Sequence, residues 1–164
     1  AAVGQGRLLA HYTASFHRHG LTVAQVLLTA EDLIRRTQFT NAHRSLEKLL
    51  ALGVVPVVNE NDTVATQEIR FGDNDRLAAL VANVVKADAL LLLSDVDALY
   101  TKHPDEGGER IPVVEDPLKD LEGVEIGTVG RAGVGSGGMV TKVQAARIAA
   151  AGCWCRWPRR RTPP

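Results

Sequence analysis

The segment Val54-Val55-Pro56-Val57-Val58 constrains this chain most: an apolar, β-branched run with Gly53 before it and the polar cluster Asn59-Glu60-Asn61-Asp62 after it. A short continuous run of this kind suits a strand buried in a parallel sheet, where helices cover the faces and no apolar-polar alternation is needed. Open α/β sheets bind ligands at the carboxyl ends of their strands, so the acids and amides after Val58 fall at a candidate site. Residues 21–28 read as another strand. So does Ala89-Leu90-Leu91-Leu92-Leu93, which ends in Ser94-Asp95-Val96-Asp97.

A second acid-amide cluster, Gly72-Asp73-Asn74-Asp75, opens residues 76–85, where Leu77, Leu80, Val81, Val84 and Val85 recur at helical spacing. Asp73 or Asn74 would serve there as an N-cap, which is the purely structural reading of that cluster. Residues 40–52 predict a helix stopped by Gly53, and residues 1–19 a helix entered partway along. Thr101 to Glu109 predict a polar loop with Pro104 and Gly107-Gly108, and residues 110–114 a short strand or hairpin arm.

Near the other end stand Gly133, Gly135, Ser136, Gly137, Gly138, Met139, Val140, Thr141 and Lys142, with a helical stretch predicted over 143–151. Clustered glycines let backbone amides approach an anion, a following helix aims its unpaired N–H groups the same way, and Lys142 adds a full charge. Residues 133–138 also spell G-x-G-x-x-G. A dinucleotide site would need a first strand before this fingerprint and an acid about 20 residues after it, and that context is missing. There is no G-x-x-x-x-G-K-[ST] of a P-loop either.

Together Ala1-Ala2-Val3-Gly4-Gln5, Asn59-Glu60-Asn61-Asp62, Gly72-Asp73-Asn74-Asp75, Ser94-Asp95 and residues 135–142 resemble, in order and spacing, the glutamate 5-kinases of the amino acid kinase superfamily. The resemblance runs over residues 1–152. It implies an α/β three-layer sandwich with a mainly parallel sheet, and transfer of the ATP γ-phosphoryl group to the side-chain carboxylate of L-glutamate, the first step of proline biosynthesis. By that resemblance Asp62 and Asn74 bind glutamate, and Ser94 and Asp95 bind nucleotide. Ser136, Gly137, Gly138, Met139, Val140, Thr141 and Lys142 form the ATP phosphate loop; Lys142 is catalytic and Asp75 orders the catalytic lysines. ATP with Mg2+ is the implied co-substrate, proline a feedback inhibitor, and a homo-oligomer the state of the complete enzyme. Alternatives are another amino acid kinase acting on acetylglutamate or uridylate, the kinase half of a bifunctional enzyme, and a non-catalytic nucleotide-binding module.

The residue types suit such chemistry. Phosphoryl transfer asks the protein to position two mutually repelling anions and to neutralise the migrating charge. Lys142 can do the second. Asp62 and Asn74 can hold an amino group and leave a side-chain carboxylate free to attack.

With 164 residues, 45% hydrophobic and 4% aromatic, the expectation is one α/β domain or most of one. No apolar run approaches the roughly 18 residues of a membrane span, and no signal-peptide pattern opens the chain, so a cytoplasmic location is expected. The formal charge is zero, but Arg156, Arg159, Arg160 and Arg161 lie in the last 12 residues; without them the 19 basic residues fall to 15 against 19 acidic, a net of −4. An acidic body argues against nucleic-acid binding. No metal site is expected, because Cys153 and Cys155 fall short of the four ligands of a structural zinc. The single methionine is Met139, so the chain is expected to begin inside a domain, to lack a first strand with a second active-site lysine, and to be inactive by itself. Residues 153–164 hold both cysteines and both tryptophans and are expected to be an aberrant or disordered basic tail, separate from a domain over 1–152.

Overall fold

The structure, a computed structural model, describes residues 2–29, 32–33, 35–61, 74–94, 97–102, 104–116, 120–121 and 139–152. The chain divides into two units, one ending at Leu77 and the other beginning at Ala78.

The first unit is built on a strand–helix–strand crossover. Helix α1 (Ala2–His17) leads into β1 (Thr22–Leu28), α2 (Arg36–Ala51) crosses over, and β2 (Val54–Glu60) returns parallel to β1. Pairing runs in register from Thr22↔Val54 to Leu28↔Glu60. Parallel neighbours need a connection long enough to cross the sheet, and α2 supplies it. Its inward residues Ala42 and Leu46 are buried, and Leu46 is wholly so. Helices α1 and α2 each stop on glycine. Gly20 takes φ +70° and closes α1 with Gly20 N–H to His17 O (3.0 Å) and Leu21 N–H to Phe16 O (3.1 Å). Gly53 takes φ +68° and donates to Leu50 O at 3.0 Å. This left-handed turn releases the chain at an angle that lets a strand begin at once, and glycine adopts it without steric cost.

Helix α3 (Asn74–Val84) carries the boundary between the units. In the second unit its end is closed by Lys86 N–H to Asn83 O (3.3 Å) and Ala87 N–H to Ala82 O (2.8 Å), with Lys86 itself at φ 53°. A two-residue antiparallel hairpin follows, β3 (Leu99–Tyr100) with β4 (Arg110–Ile111), spanned by a 3₁₀ turn at Pro104–Glu106. Thr101 extends it: its N–H donates to Glu109 O (2.9 Å) and its hydroxyl accepts from Glu109 N–H (3.0 Å). Helix α4 (Met139–Gly152) is alanine-rich and buries Val143 and Ala145. The Asn83 side-chain amide donates to Ile148 O at 3.0 Å and fastens α3 to α4.

The α/β class and the parallel pairing agree with the sequence reading, with three corrections. Helices α2 and α4 each begin four residues before the predicted starts at 40 and 143. The valines of β2 are half-buried rather than buried, because the sheet of described residues has two strands. Residues 89–93 pair with no strand among the described residues, and Leu91 and Leu93 are 83% and 84% exposed. That run lacks β-branched residues, so its extended form depends on a neighbouring strand far more than that of Val54 to Val58 does.

Candidate functional site

The carboxyl end of the β1–β2 pair is the most elaborated part of the first unit. The predicted Asn59-Glu60-Asn61-Asp62 cluster does not begin as loop: Asn59 and Glu60 still belong to β2, opposite Leu27 and Leu28. Asn61 continues the ladder, its N–H donating to Leu28 O at 2.8 Å. Glu60 is the one buried charged residue among those described, and its backbone carbonyl accepts from Gln5 Nε2 of α1 at 3.3 Å. At the end of β1 the Asp32 carboxylate accepts from both the N–H (2.7 Å) and the hydroxyl (2.8 Å) of Thr29, while Asp32 N–H faces Thr29 Oγ1 at 3.4 Å. These are the reciprocal bonds of a capping box. Its T-x-x-D spacing was readable in the sequence. Gln5 lies within the Ala1 to Gln5 stretch that carries the family resemblance, which implies no role for it.

Asn74 is exposed and Asp75 half-buried in the first turn of α3, where a carboxylate complements the positive end of the helix dipole. Asp62 and Asp73 lie outside the described residues.

In the second unit, Met139, Val140, Thr141 and Lys142 form the first turn of α4 instead of the loop before it, and all four are half-buried. Their amides are among those a helix cannot satisfy internally. A lysine at this end is unfavourable against the dipole by roughly 0.3–1 kcal/mol, a cost that an anion at the same place would offset. Ser136, Gly137 and Gly138 lie outside the described residues, as does Asp95. Ser94 is exposed after the 89–93 run. Close by in sequence, the Tyr100 hydroxyl sits 3.2 Å from each oxygen of Asp97, opposite Arg110 on β4. The Tyr100 pKa is raised above its usual 10.0, first by loss of hydration and then by the charge and hydrogen bond of Asp97, with Arg110 pulling the other way.

A groove of about 290 Å³ between the end of α3, residues 87–92 and α4 is walled mainly by alanine, and its Asn83 amide is already engaged with Ile148. None of the nominated residues lines it. Among the described residues no three His, Cys, Asp or Glu side chains are grouped to hold a metal, and no helix is long and apolar enough to cross a membrane.

Comparison with known proteins bears on both units at once. Residues 1–156 match the model of the amino acid kinase family. The chain belongs to that family. Among curated relatives it is 64% identical over 152 residues to a protein named glutamate 5-kinase from Streptomyces coelicolor, 65% over 152 residues to one from Streptomyces avermitilis, and 62% over 150 residues to one from Thermobifida fusca. Each match covers 91–92% of this chain and 38–40% of the relative, so the chain spans about two fifths of their length. The amino acid kinase match takes in every residue nominated from sequence, in both units.

Proposed function

We propose that this chain carries the substrate-binding and phosphate-binding residues of a glutamate 5-kinase. The observation that supports it most is the 62–65% identity to proteins bearing that name, sustained over more than nine tenths of this chain. In this reading a carboxylate oxygen of L-glutamate attacks the γ-phosphorus of ATP, the bond from that phosphorus to the β–γ bridging oxygen breaks, and ADP leaves. Asp62 and Asn74 hold the glutamate. Ser94 and Asp95 hold the nucleotide, and Ser136, Gly137, Gly138, Met139, Val140 and Thr141 cradle its phosphates. Lys142 neutralises charge on the migrating group, Asp75 orders the catalytic lysines, and Mg2+ arrives as part of the ATP substrate. The reading includes a cytoplasmic setting, a homo-oligomeric complete enzyme and proline as a feedback ligand. Acetylglutamate and uridylate are less favoured acceptors, given the names of the relatives.

The test is a hybrid in which residues 1–152 replace the matching stretch of the Streptomyces coelicolor relative. Lys142→Ala in that hybrid should lower kcat on the order of a hundredfold, as removal of a charge-stabilising group does. A near-normal kcat would remove Lys142 from the chemistry.

A further inference from the structure

Residues 77–85 are apolar except at Asn83, which the chemistry just described does not use. Asparagine suits a helix less well than alanine, because its side chain competes for nearby backbone groups. Here the side chain turns away from its own helix. Asn83 is half-buried, and its Nδ2 donates at 3.0 Å to the carbonyl of Ile148, 65 residues further on in α4.

The bond crosses a gap that packing leaves open. The groove of about 290 Å³ there is lined by Ala82, Asn83 and Ala87 on one side and by Ala146, Ala149 and Ala150 on the other. Methyl groups make shallow ridges, and across a void they lose the contacts that would resist a slide or rotation of α4. A hydrogen bond is stricter, since it weakens steeply once its length and angle leave a narrow range. Asn83 therefore sets the axial position and rotation of α4 against the end of α3.

The consequence falls on the other end of α4. Met139, Val140, Thr141 and Lys142 precede Ile148 by six to nine residues, about 9–14 Å along the axis. A rotation of the helix by roughly 20° would swing the tips of their side chains by about 2 Å, given a side-chain radius of about 5–6 Å. Misplacement by about 1 Å can cost on the order of a hundredfold in rate. We infer that Asn83 is a positioning residue for the phosphate-binding turn at residues 139–142: through Ile148 it holds α4 at the depth and rotation in which that turn meets the phosphates of the nucleotide. This rests on the reading of the turn as phosphate-binding. Asn83 acts through the helix rather than on the nucleotide.

The test uses the full chain with two variants. Asn83→Leu keeps size and branching, lacks a donor and suits a helix better than asparagine; Asn83→Gln keeps the amide and has room in the groove for one more methylene. Amide hydrogen exchange at residues 145–148 reports the docking of α4 without ligand, and calorimetry reports the Kd of Mg·ATP. Asn83→Leu should speed that exchange about tenfold and weaken Mg·ATP about tenfold, which corresponds to about 1.4 kcal/mol, with no fall in melting temperature. Asn83→Gln should restore both readouts. In a Lys142→Ala background the loss of Mg·ATP affinity from Asn83→Leu should shrink to about threefold or less, because the charge being positioned is gone.

Unchanged exchange or unchanged Mg·ATP affinity in Asn83→Leu would overturn the inference. So would a tenfold loss that persists in full without Lys142, or one accompanied by a lowered melting temperature, since either marks general loosening. If the unaltered chain binds no Mg·ATP, the phosphate-binding reading of the turn fails and the inference falls with it; if the unaltered chain binds and Asn83→Leu binds equally well, the inference alone fails.

Discussion

Helices α1 and α3 end in the same pair of backbone bonds, but α1 closes on Gly20 and α3 on Lys86. The junction after α2 follows the first pattern, with Gly53. After α1 and α2, then, the chain is released by a residue suited to positive φ, and a paired strand begins within two residues. In the second unit the turn is forced on a residue with a Cβ, and the apolar run that follows pairs with no strand among the described residues. The difference teaches that the turn geometry belongs to the helix end, while its cost depends on the residue placed there. A left-handed conformation costs an L-residue about 1–2 kcal/mol, and glycine is spared that.

The largest effect that would sharpen this contrast is in the cores. Leu46→Ala, at a wholly buried site beneath the β1–β2 sheet, should lower unfolding free energy by about 2–5 kcal/mol in a denaturant titration, whereas Leu91→Ser, at a highly exposed site, should change it by less than about 0.5 kcal/mol. A comparable loss at Leu91 would show that residues 89–93 are buried in solution and would erase the contrast. Next come the turns. Nothing lies within 4 Å of a Cβ built on Gly53, so Gly53→Ala should destabilise through backbone strain alone, by about 1–2 kcal/mol. Lys86→Gly should act in the opposite direction, by up to about 1 kcal/mol after glycine's greater unfolded-state freedom is discounted. Equal signs at the two sites would break the comparison.

The smallest effect is at the hairpin. Subtracting the alkaline absorbance titration of Tyr100→Phe from that of the unaltered chain should give a tyrosine curve with its midpoint above 10.0. Because the folded-state pKa is raised, the contribution of this phenol to stability is fully present below its unfolded pKa and is lost as pH rises through the folded one. A midpoint at or below 10.0 would mean that the Asp97 contact is not kept in solution.

Much of the fold was legible because local chemistry and tertiary demand agree. Val54 to Val58, β-branched and bounded by Gly53, form a parallel strand; Leu77, Leu80, Val81 and Val84 mark α3. What was not legible depends on partners remote in sequence. Ala89 to Leu93 look like a strand by hydrophobicity, but strand formation needs a ladder that composition cannot guarantee. The early start of α4 was hidden by the glycines before it, which made Met139 to Lys142 read as loop. The site was legible as polar clusters at strand ends and as a lysine beside glycines. Its supports were not: the bond from Gln5 to the Glu60 carbonyl depends on how α1 lies along the sheet, which periodicity cannot supply.

The proposed activity is phosphoryl transfer to the side-chain carboxylate of glutamate. The most direct measurement is the Mg·ATP-dependent formation of glutamyl phosphate, trapped as its hydroxamate, by the hybrid carrying residues 1–152, with L-glutamate, N-acetyl-L-glutamate and uridylate offered in parallel and the phosphorylated product of each quantified. The account predicts product from L-glutamate alone. Turnover of either other acceptor in its place, or ATP binding by a folded hybrid with no turnover of any of the three, would contradict it.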